Sequence, residues 1–333
     1  MSAAARIYFM VNILTIFFYT GCKTSDILSP SSSSITWDFC MPAAGTNYGD
    51  MYTVNLMSDS VLQSDTLMPG FFHERDILIA NASGTLPYIK SLQLLAANPV
   101  DNNRSSAMAY FSNVEKGLAS MRTQTESILS ELECELFRTR QLYIQLRNLN
   151  SKKNDRLTAE AIVIGSAANI TPVFITQKSP QNILVVGSSV VSAGLSLSTL
   201  RTSVGKIKLT FLRNLLSDVW FAPAKSTDYP AGLWYILNSP KFSNTRQLSK
   251  VQLIKMRWLK FELNGSVSKD TEKLFFGTGG IFNQDELEVR VSMIAELMAE
   301  VNTVNVDLDN FEYDLNHFRE KEFNYSKRTS VNP

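Results

Sequence analysis

Two stretches of apolar residues, spaced three and four apart, constrain the fold more than any other feature of this chain. In the first, Phe111, Val114, Leu118, Met121, Ile128, Leu132, Leu136, Leu142, Leu146 and Leu149 recur, with Thr125 and Thr139 filling two further seam positions. Such steps mark one face of an α-helix. They predict one helix of about 45 residues, roughly 65 Å long, with a heptad stripe. In the second stretch, residues 284 to 325, the pattern runs through Leu287, Val291, Ile294, Met298, Val301, Val304, Leu308, Phe311, Leu315 and Phe318. The consecutive steps of three at Val301 and Val304 shift the heptad. Asn283, with Glu286 three residues later, has the pattern of an N-terminal cap. A helix with a single apolar stripe does not hold alone in water, so each must bury it against the other, a third helix or another chain. The expected fold class is therefore all-α: an elongated helical bundle with long heptad-patterned helices over residues 105–325 and a small irregular N-terminal cap over residues 35–104.

The cap is broken by Pro42, Gly45, Gly49, Pro69, Gly70, Gly84 and Pro87. Short strands are expected at Thr36 to Phe39, Tyr52 to Val54 and Asp76 to Ile79, and a short helix from Leu86 to Ala97, stopped before Pro99. Beyond the first long helix, residues 206 to 221 read as a helix ending before Pro223, followed by a loop around Pro230, Gly232, Asn238 and Pro240. A further helix is expected from Arg246 to Leu263. Gly277-Thr278-Gly279-Gly280 reads as a flexible turn before Asn283.

Between the long helices lie two arms without charge, Ala161 to Gln177 and Ser179 to Leu200, with Lys178 and Pro180 at the joint. The second places small residues four apart, Ser188 with Ser192 and Gly194 with Ser198, beside Gly187. This spacing permits close helix contact, in membranes or in tight soluble bundles. A long helix, an uncharged hairpin over residues 161–200 and a returning helix also resemble the plan of helical pore-forming toxins. Asn169, Pro172 and the serines of the second arm disfavour insertion, so a packed central hairpin is preferred.

The amino terminus carries a different kind of signal. Arg6 precedes the apolar run Ile7 to Tyr19, which ends in Thr20-Gly21-Cys22. A positive start, a short apolar core and small residues at the cut define a signal peptide, and the core is too short for a spanning helix. Thr20-Gly21-Cys22 resembles the lipobox of bacterial lipoproteins, although Tyr19 stands where that motif usually has an aliphatic residue. The resemblance implies cleavage after residue 21, lipidation of Cys22, and a place in the bacterial cell envelope. Lys23, rather than Asp, after the cysteine points to the outer membrane, facing the periplasm. The serine-rich stretch over residues 22–34 suits a flexible tether. With Cys22 lipidated, Cys40 and Cys134 remain as one disulfide candidate in an oxidising compartment.

Composition narrows the function. A formal net charge of +1 gives no bias toward nucleic acid. The two histidines, His73 and His317, lie in different contexts, no zinc spacing occurs, and no Gly-x-Ser-x-Gly elbow marks a nucleophile. No enzyme, cofactor, metal or small-molecule substrate is expected. His73-Glu74-Arg75-Asp76 reads as a solvated turn. The basic run Lys241, Arg246, Lys250, Lys255, Arg257 and Lys260 either lies on an anionic bilayer or, as preferred, is paired within the chain, with the acidic last helix as the competing partner, or simply solvated. The expectation is a lipid-anchored structural or adaptor component of an envelope assembly, with a protein partner or a second copy. The alternative is a membrane-inserting protein that uses the hairpin.

Overall fold

The computed structural model of the chain describes residues 27–28, 40, 54–57, 72–98, 104–170 and 205–323. These are mostly helical. The elements in chain order are β1 (Ile27–Leu28), α1 (Glu74–Ala82), α2 (Leu86–Ala97), α3 (Arg104–Ile170), β2 (Lys206–Thr210), α4 (Leu215–Phe221), α5 (Ala231–Asn238), α6 (Lys250–Arg257), α7 (Lys269–Phe276), β3 (Gly279–Phe282) and α8 (Gln284–Phe323). The three strands form one small sheet in the order β1, β2, β3.

The chain divides into two compact units. The smaller takes in Met1–Ser34, Arg140–Leu209 and Ile281–Glu288. In it, β1 runs parallel to β2, with Ile27 opposite Lys206 and Leu28 opposite Ile207. Residues 206 to 210, expected to be helical, are this strand. Lys206-Ile207-Lys208-Leu209-Thr210 alternates polar and apolar with a period of two, burying Ile207 and Leu209, which is a strand pattern. The start of α8 is fastened as its sequence implies: Glu286 N donates to Asn283 Oδ1 at 2.9 Å, and Asn283 N donates to Glu286 Oε2 at 2.7 Å.

The larger unit takes in Ile35–Thr139, Thr210–Gly280 and Val289–Pro333. Here α1 replaces the strand expected at Asp76 to Ile79. His73 N donates to Asp76 Oδ2 at 2.8 Å, and Glu74 and Asp76 sit in the first turn, where the helix dipole favours them. Residues 78 to 82 are nearly all buried. A helix buried on most sides shows the continuous apolar run of a buried strand, so sequence periodicity could not separate the two. The His73 to Asp76 cluster is thus a helix start rather than a turn, with His73, Glu74 and Arg75 exposed and Asp76 buried, and Arg75 pairs with Asp307 at 2.7 Å. Two close approaches fix neighbouring helices. A Cβ on Gly117 of α3 would stand 2.2 Å from Thr85 Cγ2, and one on Gly232 of α5 would stand 2.3 Å from the Ala82 carbonyl oxygen.

The helix from α6 continues as a π-helical turn, Trp258–Glu262, so the expected helix from Arg246 begins later, at a Ser249–Gln252 capping box. Helix α5 stands where a loop was expected, with Pro230 at its N-cap and Gly232 inside it, and helix α7 is likewise unforeseen; Ser268 caps it through Thr271 N. The glycines at 277 to 280 lead into β3 rather than forming only a turn.

Burial along the two long helices follows steps of three and four. On α3 the buried side chains include Phe111, Val114, Leu118, Met121, Thr125, Ile128, Leu132, Thr139, Leu142 and Leu146, whereas Leu136 is half-buried and Leu149 is exposed. On α8 they include Leu287, Arg290, Ile294, Leu297, Val301, Val304, Leu308, Phe311, Leu315 and Phe318, with Met293 and Asp307 buried beside them. Val291 and Met298 are only half-buried. The shift expected at Val301 disappears once Arg290 and Leu297 take those two places.

Candidate functional site

The residue that interrupts the apolar face of α8 points to the most unusual chemistry in the larger unit. Arg290 is 2% exposed. A fully buried guanidinium must spend its fixed fork of donors on nearby acceptors. Its Nη1 donates to the Phe275 carbonyl at 3.0 Å, its Nη2 donates to Asn214 Oδ1 at 3.3 Å, and its plane lies 3.8 Å from the centre of the Phe211 ring. Asn214 completes the arrangement by donating to the carbonyls of Phe275 and Gly277, both at 2.9 Å. Arg290 and Asn214 together satisfy carbonyls at the end of α7 that a helix terminus leaves open. Asn214 also accepts from Leu216 N and so caps the start of α4.

On α3 the corresponding interruption is Glu135, one step of three after Leu132 and one of four before Thr139. It accepts from Arg138 at 2.7 Å, and the Arg138 guanidinium lies 5.8 Å from the centre of the Phe211 ring. One turn earlier, Glu131 Oε2 lies 3.2 Å from Arg213 Nη1. Arg213 Nε lies 3.4 Å from Asp228 Oδ1, and the same guanidinium donates to the Asp228 carbonyl. Behind Asp228, Ser226 bridges to Asp218 and accepts from the amides of Asp228 and Tyr229. The Tyr229 hydroxyl donates to the Leu215 carbonyl at 2.7 Å.

Seven ionisable groups therefore gather around this region: the carboxylates Glu131, Glu135, Asp218 and Asp228, and the guanidiniums Arg138, Arg213 and Arg290. Burial is the largest influence on Glu131, Asp228, Arg290 and the neighbouring Tyr229. It pushes the Glu131 carboxyl up to about 7, against the pull of Arg213 and with the help of Asp228 and Glu135. It raises Asp228 as well, assisted by Asp218, and it holds the Tyr229 hydroxyl well above its ordinary range. The Arg290 guanidinium is pulled down to about 9 by the same desolvation, although its hydrogen bonds suit the charged form. Comparison with family models, curated proteins and solved structures finds no match to the chain. The chemistry of the cluster must speak for itself. It can exchange protons and lock three segments together; among the described residues no group of three or more His, Cys, Asp and Glu is placed to hold a metal ion.

Of the residues singled out by sequence, Cys40 and Cys134 are joined through their sulfurs, with Cα atoms 5.4 Å apart. Cys134 lies on α3 between Glu131 and Arg138, so the cross-link and the charge cluster share two helical turns. Cys22, Gly187, Ser188, Ser192 and Gly194 lie outside the described residues, as does the hairpin beyond Ile170. Its first ten residues, 161 to 170, continue α3. No helix of the described residues is long and apolar enough to cross a membrane.

The basic run is partly paired within the unit, while Arg246 and Lys260 are exposed. Lys250 pairs with Glu300, Arg257 with Glu296 and Glu300, and Lys241 with Glu74. Lys255 donates to the Trp220 carbonyl at 2.7 Å and stands 4.6 Å from that ring. An open groove of about 390 Å³ is lined by Met108, Phe111 and Phe323 and by the Arg319–Glu115 pair. Sequence reading missed Glu131, Glu135, Arg213, Asp228 and Arg290. A usable signal was present for two of them: Glu135 and Arg290 each occupy a slot that the three-and-four repeat assigns to an apolar residue.

Proposed function

We propose that this chain is a lipid-anchored component of the bacterial envelope, tethered through Cys22 and acting as a structural or adaptor element in an envelope assembly. The observation that carries the reading is the leader, a positive start and short apolar core closing on Thr20-Gly21-Cys22. The Cys40–Cys134 link supports it, since disulfides persist in oxidising compartments such as the periplasm. Lys23 directs the anchor to the outer membrane in this reading. The long helices, with faces buried in steps of three and four, suit an elongated helical bundle whose role is mechanical: to hold a partner protein or a second copy at a set distance from the membrane. We assign it no catalytic activity, cofactor or small-molecule substrate. The ionisable cluster of the larger unit ties three segments together through ion pairs and main-chain hydrogen bonds, which suits holding rather than turnover.

The test is fractionation of cells making the wild-type chain or Cys22→Ser. Wild type should sediment with the outer membrane, and the variant should be released or held uncleaved in the inner membrane. Unchanged outer-membrane association of the variant would overturn the anchored reading.

A further inference from the structure

The charge cluster of the larger unit has an odd count. Four carboxylates, Glu131, Glu135, Asp218 and Asp228, face three guanidiniums, Arg138, Arg213 and Arg290, so full ionisation leaves one negative charge without a counterpart. Burial makes such a surplus expensive, and the inexpensive remedy is to keep one carboxyl protonated. Geometry selects which. Glu135 has Arg138 at 2.7 Å, and Asp228, 22% exposed, meets the Arg213 guanidinium with both its carboxylate and its own main-chain carbonyl. Asp218 is bridged by Ser226 and only half-buried. Glu131, 5% exposed, has a single approach from Arg213, which it must share with Asp228, and its Oε2 lacks an aligned hydrogen bond.

We propose that Glu131, Arg213 and Asp228 form a proton-sensitive latch, which holds the segment from Arg213 to Tyr229 against α3 when Glu131 is protonated and loosens it when Glu131 ionises. The groups facing Glu131 are Glu135 on its own helix, Arg213 from the segment after β2, and Asp228 with Tyr229 from the loop before α5; Asp218 of α4 acts on Asp228 and Tyr229. Arg138 and Arg290 stand one layer further, paired with Glu135 and with the end of α7. Burial keeps the proton on Glu131 to about pH 7, well above the 4.5 of a free glutamate. The sign follows from proton linkage. Between those values the folded chain binds more protons than the unfolded chain, so stability falls as pH rises through the window. The latch is closed on the acid side. A pH drop is a change that a protein outside the cytoplasm encounters directly, which gives the device a use independent of whether Cys22 is lipidated.

The experiment uses the full chain in detergent. Urea unfolding is followed from pH 5 to 8 for wild type and Glu131→Gln, which mimics the protonated form. For wild type the unfolding constant should climb by up to about tenfold per pH unit through the upper part of the window, the limit for one linked proton. In Glu131→Gln that portion of the climb should vanish, leaving the share of other groups. Hydrogen exchange, expressed as protection relative to free-peptide rates, should show the amides of residues 213 to 229 losing protection from pH 6 to 8 in wild type but not in the variant. Identical pH profiles for the two chains would overturn the proposal. Should Glu131→Gln fail to fold, the carbon-detected titration of Glu131 in wild type decides: a midpoint below about 5.5 refutes the latch, and one near 7 supports it.

Discussion

Replacing Gly232 by alanine isolates one contact on which the packing of α5 against α1 depends. The added Cβ would stand 2.3 Å from the Ala82 carbonyl oxygen, 3.2 Å from its carbon and 3.7 Å from Met121 Cε. The first of these lies roughly 0.7 Å inside the closest approach real Cβ atoms make. The obstructing atom belongs to the backbone of the last turn of α1, so no rotamer change relieves the clash. Either α5 moves away or the end of α1 distorts, and Leu233, Ile236 and Leu237, all fully buried, lose contacts with it. Overpacking of this kind costs about 1 to 3 kcal/mol. Alanine gains up to about 1 kcal/mol over glycine inside a helix, less here because Gly232 is the second residue of α5. The net expectation is a loss of about 1 to 2 kcal/mol. With a urea slope of about 2 kcal/mol per molar, the midpoint should drop by about 0.5 to 1 M at unchanged slope. A variant as stable as wild type, or more so, would refute the close approach.

Other expectations follow from single features. Cys134→Ser opens a link that closes 94 residues; the chain-entropy model assigns such a loop about 4 to 5 kcal/mol, so thermal or urea unfolding under non-reducing conditions should show a large loss that reducing agent reproduces in wild type and leaves unchanged in the variant. Burial pushes Asp76 from 3.8 up to about 6, with Asp314 adding to the shift; the folded chain then holds a proton the unfolded chain releases, stability falls between about pH 4 and 6, and Asp76→Asn should remove that part of the unfolding profile. Arg290→Met should destabilise by about 2 to 4 kcal/mol in the same assay, because the Phe275 carbonyl and the side-chain oxygen of Asn214 lose a buried charged donor. Vesicle leakage by the lipid-free chain, abolished by Val190→Arg without unfolding, would favour the membrane-inserting alternative over the adaptor.

What the sequence made legible is what periodicity encodes. Both long helices and the Asn283 cap follow from residues spaced three and four apart, and α2 follows from an apolar run closed by Pro99. The failures have physical causes. Asp76 to Ile79 looked like a strand because a helix buried on most sides erases its own polar face. Residues 206 to 221 fused a strand and a helix because apolar residues run on through Phe211, Leu212, Leu215 and Leu216 with no glycine or proline at the joint. The register of α8 went astray at Arg290, where apolar Val291 offered a false continuation. The charge cluster was hidden for a different reason: its members come from residues 131 to 138, 211 to 229 and 290, and only tertiary packing brings them together. Even so, Glu135 and Arg290 stand at seam positions, and a charge at such a position asks for a buried partner.

The central claim, anchorage through Cys22, is tested most directly by mass spectrometry of the N-terminal peptide of the chain purified from its envelope. The account predicts a peptide that begins at Cys22, carrying a diacylglyceryl group on the sulfur, with Lys23 and Thr24 following. A peptide beginning at any other residue, or a Cys22 without acyl chains, would contradict it.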